Sequence, residues 1–211
     1  ASSEPLSQTL LNKVFDSPPP SLKESIERLN EFYSSHERPY KIKAIAGGFQ
    51  LMTNSEFDVV GIGNAIVDVV ARTEDAFLVD NGLTKGAMTI IDTETAESLY
   101  SKMGPAIEVS GGSAANTIAS LSSLGGKGAF VGKVRNDQLG GVFTRDIHAI
   151  GVHFNTPSQG VKTPTARSFI FVTPDAERTM QTFLGACVEL GPDDIDPELI
   201  RKSAVCSKKY L

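Results

Sequence analysis

The residues best suited to chemistry in this chain gather around an acid and a pair of glycines. Asp68 stands a few residues past the end of the apolar run Phe57–Gly63, the place where open α/β sheets put ligand-binding groups. Asn64 stands between that run and Asp68 and adds an amide. Further along, Gly111-Gly112 has no side chains, so a flat polar ligand can lie directly against main-chain amides. Ser113 then opens a helix pattern with Ala115, Ile118, Ala119 and Leu121. The free N–H groups of its first turn add partial positive charge, and Asn116 offers a donor and an acceptor one turn in. Arg178 can meet an anionic group. The plain alternatives are a capped helix behind a Gly-Gly turn, a turn or helix cap for Asp68, and a solvent-exposed hairpin arginine for Arg178.

Holding these groups together requires an α/β scaffold, and the rest of the sequence supplies one. Phe57–Gly63 reads as a buried strand and Ile66–Ala71 as a second β-branched run, which argues against a dinucleotide fingerprint at Gly61-Ile62-Gly63 because a helix should follow there. The spacing predicts a weak helix over Thr73–Asn81, a strand over Ala87–Ile91 and a helix capped by Asp92 with Ala96, Leu99, Tyr100 and Met103 on one side. After the helix at Ser113, Gly125-Gly126 stops the chain's turn and Ala129–Val134 forms the next strand. A helix with Leu139, Val142, Phe143, Ile147 and Ile150 follows, then a strand at Val152-His153-Phe154. This alternation argues for a mainly parallel sheet with helices on its faces. Thr165–Thr173 and Thr179–Leu184 are β-rich runs joined by Pro174-Asp175-Ala176-Glu177, and with strands near Val69 and Thr89 they suit a small sheet acting as a lid. Asp194–Lys202 reads as a helix and Ala204-Val205-Cys206 as the start of a strand.

Residues 1–51 differ in character and are read as an N-terminal extension, with residues 52–211 as the α/β domain. The extension has an apolar stripe of Leu6, Leu10, Leu11 and Val14, a break at Pro18-Pro19-Pro20, and a helix opened by the capping box Ser21-x-x-Glu24 with Leu22, Ile26, Leu29 and Tyr33 on one face. Tyr40–Ala46 is a possible strand ending at Gly47-Gly48. Its apolar stripe must dock on its own domain, on a protein partner or on another copy of the chain.

A net charge of −5 supplies no broad basic surface, which excludes a binder of the nucleic-acid backbone. Cys187 and Cys206 lie in no metal-ligand spacing and read as reduced, buried thiols of a cytoplasmic protein. His36, His148 and His153 are scattered, His148 on a helix face and the others at loops or strand edges, so no metal site is expected. No apolar run is long enough to span a membrane. The chain starts at Ala1 without a Met, which leaves room for a cleaved targeting peptide and a mitochondrial matrix location.

Gly63-Asn64 with Asp68, Gly111-Gly112-Ser113 with Asn116, Gly132-Lys133-Val134 with Asp137 and Gly140, and Thr173-Pro174-Asp175 with Arg178 occur in an order that resembles the ribokinase (PfkB) family of carbohydrate and nucleoside kinases. Residues 57–201 look most like its bacterial adenosine-kinase-like branch, departing from the pattern at Arg135-Asn136, where many members carry a glycine. The resemblance implies a ribokinase-like layered α/β/α domain with a small β lid, truncated and preceded by a helical arm. It implies ATP-dependent phosphotransfer to the hydroxymethyl group of a nucleoside or sugar. Asp68 would hold two sugar hydroxyls with Asn64 behind it, Gly111, Gly112, Ser113 and Asn116 the opposite sugar edge, and Arg178 phosphate charge. ATP and Mg2+ are the implied cofactors. The family's catalytic Gly-Ala-Gly-Asp turn and its Asn-x-x-Glu magnesium element do not occur in these 211 residues, so no catalytic residue is assigned and the ATP site is expected outside them. The competing expectation is a non-catalytic, kinase-like subunit of a larger assembly, joined through residues 1–51.

Overall fold

The computed structural model describes residues 5–14, 16, 21–36, 38, 40–53 and 55–208. Ala1 and the Pro18-Pro19-Pro20 break lie outside the described residues. The chain forms two compact units, Ala1–Glu56 with Arg201–Ala204, and Phe57–Ile200 with Val205–Leu211.

In the first unit, α1 (Gln8–Val14) precedes α2 (Leu22–Ser35), whose capping signal works as its sequence suggests: the Ser21 hydroxyl accepts from the Glu24 N–H at 3.2 Å. The expected single strand is half of a hairpin, β1 (Tyr40–Ile45) and β2 (Gly48–Thr53), paired antiparallel through a turn with Gly47 at φ 89° and Gly48 at φ 151°. Leu11, Leu22 and Ile26 pack with Ile42 and Phe49 into a small core. Asn30 pairs with both main-chain groups of Ile42, donating to its carbonyl at 3.0 Å and accepting from its N–H at 2.8 Å, which fastens α2 to β1.

The second unit begins with β3 (Phe57–Ile62) and contains two sheets. One places β3 between β7 (Gly128–Val131) and β10 (Ser203–Lys208), with β3 and β7 parallel and an isolated parallel bridge from Ala129 to His153 where a full strand is expected. Both faces of β3 and β7 are covered. On one side lies α5 (Ser113–Ser123), so close that a Cβ on Gly61 would sit 2.6 Å from the Ile118 side chain. On the other, Val60, Ile62, Ala129 and Val131 pack with Leu190, Ile195, Leu199 and Ile200. The latter segment is not one helix but a 3-10 turn at Pro192–Asp194 and the short α7 (Pro197–Arg201), as the Pro at each start allows.

The other sheet is mixed and has five strands: β5 (Met88–Ile90), β9 (Arg178–Phe183), β8 (Ala166–Val172), β4 (Ile66–Arg72) and β6 (Ile107–Gly111) in that spatial order. It is larger than the small lid expected, because β6 leaves the alternating pattern and pairs antiparallel with β4. Its inner face, with Val67, Val69, Phe169 and Phe171 at most 1% exposed, joins α4 (Thr93–Lys102) and α6 (Gln138–Ala149) in the main core. The short α3 (Asp75–Asp80) adds Leu78 to that core. Layered helices on a parallel core, with an added sheet, give a ribokinase-like α/β fold. Cys187 is buried as expected, which pushes its thiol up to about 12, whereas Cys206 on β10 is exposed where a buried thiol is expected.

Candidate functional site

Asp68 lies a few residues past the end of β3, as the third residue of β4. It lies diagonally across the β4–β6 pair from Gly111, since Asp68 faces Val109 and Ile66 faces Gly111. The carboxylate leans over that glycine: a Cβ on Gly111 would stand 2.3 Å from Asp68 Oδ2 and 2.7 Å from Oδ1. Only glycine leaves this space open. Gly112, at φ 95°, approaches the Asn64 main chain just as closely, its Cβ position falling 2.5 Å from the Asn64 carbonyl oxygen. Asn64, Asp68, Gly111 and Gly112 thus meet at one corner.

α5 starts there. Gly112 is its N-cap and supplies no side-chain acceptor, so the amides of the first turn have no cap, and Ser113 and Asn116 on that turn are exposed. Among the described residues no donor reaches the Asp68 carboxylate, and partial burial raises its pKa above the ordinary aspartate range. A half-buried acceptor without a partner, beside bare backbone and a helix N-terminus, is a place where hydroxyl groups of a ligand can be received.

Arg178 is not brought to this corner. It pairs with Val172, which pairs with Arg72, so it sits four residues along the strands from the Asp68 level, about 13 Å, and two strands to the side. The hairpin that carries it turns at the end of the sheet remote from Gly111, beside a cleft of about 790 Å3 lined by Arg72, Phe77, Thr173 and Pro174. That cleft is far from the acid.

The third motif is structural. Asp137 Oδ1 caps α6 by accepting from the Gly140 N–H at 2.9 Å and also takes the Thr165 hydroxyl at 2.7 Å, while Oδ2 takes the Thr165 N–H at 2.9 Å. Gly140 is needed because a Cβ there would meet the Arg135 carbonyl oxygen at 1.9 Å. The positive charge expected at Lys133 is held by Asp194 at 2.6 Å. What the residue reading missed is Ser168, directly across from Asp68 on β8, and Thr182 beyond it, their hydroxyls 3.0 Å apart. Strand periodicity puts both on the Asp68 face, but only the register shows them level with it.

Residues 88–207 match the pfkB family of carbohydrate kinases. The chain belongs to this family. A crystal structure of adenosine kinase from Sinorhizobium meliloti is 56% identical, with a TM-score of 0.67 over 73% of this chain and 47% of that one. A probable sugar kinase from Rhizobium etli CFN 42 is 55% identical at the same TM-score and coverage. Among curated relatives, guanosine-inosine kinase of Escherichia coli K12 is 28% identical over 167 residues, 72% of this chain and 37% of its own. The chain therefore spans about half of the solved pfkB relatives and about a third of the curated ones. Among the described residues no helix is long and apolar enough to cross a membrane, and no three His, Cys, Asp or Glu side chains converge where a metal ion could be held.

Proposed function

We propose that this chain provides the acceptor side of an ATP-dependent phosphotransferase acting on the hydroxymethyl group of a nucleoside or sugar. One observation carries the reading: the carboxylate of Asp68, with no donor among the described residues, stands over the side-chain-free backbone of Gly111. Two vicinal hydroxyls can donate to the two carboxylate oxygens, while the Gly111-Gly112 main chain and the first turn of α5, with Asn116, receive the opposite sugar edge. Asn64 supports the corner through its carbonyl at Gly112. Arg178, remote in this arrangement, has no part in holding the acceptor. The experiment is calorimetric titration of the 211-residue chain and its Asp68→Ala variant with adenosine and with ribose. Losing the acceptor for two hydroxyls should weaken the tighter ligand by about ten- to a hundredfold, in line with roughly 1.5–3 kcal/mol for hydrogen bonds to a charged group. Equal affinities would remove Asp68 from the site.

A second reading, a non-catalytic subunit that assembles through residues 1–51, is favoured by the fact that Ala1–Glu56 forms a compact unit with its own core, outside the residues that match the family. Sedimentation of the chain with and without that segment tests it: an unchanged number of chains per particle on deletion counts against assembly through the arm.

A further inference from the structure

The corner at Gly111 depends on where β6 ends, and β6 is an edge strand, held by strand pairing on one side only. Ser110, the residue before Gly111, faces Val67 across the β4–β6 pair, and its N–H goes to Asp146 Oδ2 on α6 at 3.0 Å. Asp146 is half-buried, and its Oδ1 takes the exposed Arg145 guanidinium at 2.8 Å. A main-chain N–H on a carboxylate is a charge-assisted bond, stronger than the strand pairing beside it. The helix that carries Asp146 is itself fixed, since Asp137 caps its start and binds Thr165, and Phe143 and Ile147 seat it in the main core. Two residues further back, β6 is tied by a side chain instead: Glu108 Oε1 accepts from the Tyr100 hydroxyl at 2.9 Å.

Resting on the acceptor reading, we propose that Asp146 is a positioning residue: it anchors the edge of β6 through the Ser110 N–H, so that Gly111 lies under the Asp68 carboxylate and Gly112 against the Asn64 carbonyl. The corner has no slack on its close side, because the Cβ positions of these glycines fall 2.3 Å from Asp68 Oδ2 and 2.5 Å from the Asn64 carbonyl oxygen. On its far side the limit is set by the ligand, since a displacement of about 0.5 Å exceeds what a preorganised site tolerates. Asp146 acts from α6, on the core side of the sheet, and leaves the Asp68 face to the acceptor. An asparagine there keeps the needed oxygen: its carbonyl can accept from Ser110 while its amide loses only the Arg145 pair, which lies on the surface and contributes little.

The test is calorimetry of the full chain with adenosine as probe, alongside hydrogen exchange at the Ser110 amide. Asp146→Ala should weaken adenosine by about tenfold and hasten Ser110 exchange, whereas Asp146→Asn should stay within about twofold of the native affinity and keep the amide protected. Asp146→Ser, one bond too short to reach Ser110, takes the place of Asp146→Ala if that variant does not fold. Tyr100→Phe, which frees Glu108 further from the corner, should leave affinity within about twofold. In an Asp68→Ala background, Asp146→Ala should cost less than about threefold, because the group it serves is already gone. Native affinity in Asp146→Ala, Ser110 exchange unmoved by it, or losses as large in Asp146→Asn or Tyr100→Phe each overturn the positioning role, even where Asp68→Ala still weakens binding and so sustains the acceptor reading. Native affinity in Asp68→Ala, or no binding of adenosine by the native chain, overturns both.

Discussion

Asp68 is a burden on the unliganded protein. Burial disfavours its charge, so its folded pKa lies above the unfolded value. A raised carboxylate contributes to stability fully below the unfolded pKa and loses that contribution as pH rises through the folded one. At neutral pH the native chain therefore carries a charge it holds poorly, and Asp68→Asn should melt higher than the native protein. The gap in Tm should be small below the unfolded pKa, widen as pH rises from there through the folded pKa, and level off above it; a gap independent of pH would show that the variant acts through packing instead. The same titration governs binding. Hydroxyl donors need the ionised form, so affinity should fall as pH drops through the raised pKa, in the native chain and not in Asp68→Asn. Stability and binding thus pull this one side chain in opposite directions, as expected where polar groups are held ready for a ligand.

Gly111 matters because of what β6 does as a strand. The pairing of β6 with β4 puts its last residue under the Asp68 carboxylate, and Gly111→Ala would drive a methyl into both oxygens, which are 2.3 and 2.7 Å from the Cβ position. Circular dichroism should stay native while adenosine affinity falls at least as far as in Asp68→Ala; retained affinity would mean the carboxylate can move aside without loss. At the same end of the sheet, Asp137 ties α6 to the start of β8 through Thr165. Asp137→Ala removes a helix cap and two further bonds to a charged acceptor, which should lower stability by about 2–4 kcal/mol in urea unfolding; a change below about 0.5 kcal/mol would make that cluster incidental. The elements themselves were largely legible. Ser21, Asp92 and Asp137 each cap the helix their spacing announces, with side-chain acceptors on Glu24, Thr95 and Gly140 N–H groups. Asp68 and Gly111-Gly112 stand out as residue types suited to a hydroxyl-bearing ligand. What the pattern left hidden is sheet membership. Ile107–Gly111 reads as a strand in any sheet, and only tertiary pairing decides that it edges the five-stranded one. β2 was hidden for a local reason: Ala46-Gly47, with Gly47 at φ 89°, is a two-residue hairpin turn, and Gly48 opens the second strand instead of ending the first.

Two units of unequal core divide the chain. Ala1–Glu56 with Arg201–Ala204 is held by Leu11, Leu22, Ile26, Ile42 and Phe49, whereas the core of the other unit includes Phe130, Phe143, Phe169 and Phe171, each at most 1% exposed. Burial on the scale of about 25 cal/mol per Å2 makes the difference several-fold in hydrophobic stabilisation, and a segment of this size with so few core side chains is marginal by itself. Its surface keeps Leu29, Phe32 and Leu51 between 43% and 49% exposed, so little further apolar area is buried within the unit. The two units should therefore open at different free energies. In hydrogen exchange, the amides of α2 and the β1–β2 hairpin should exchange well before those of β4 and β8, and Ile26→Ala should hasten exchange in the first unit alone. Equal protection across both units, or faster exchange in β4 after Ile26→Ala, would show that the chain unfolds as one cooperative body and that the arm draws its stability from more than its own five-residue core.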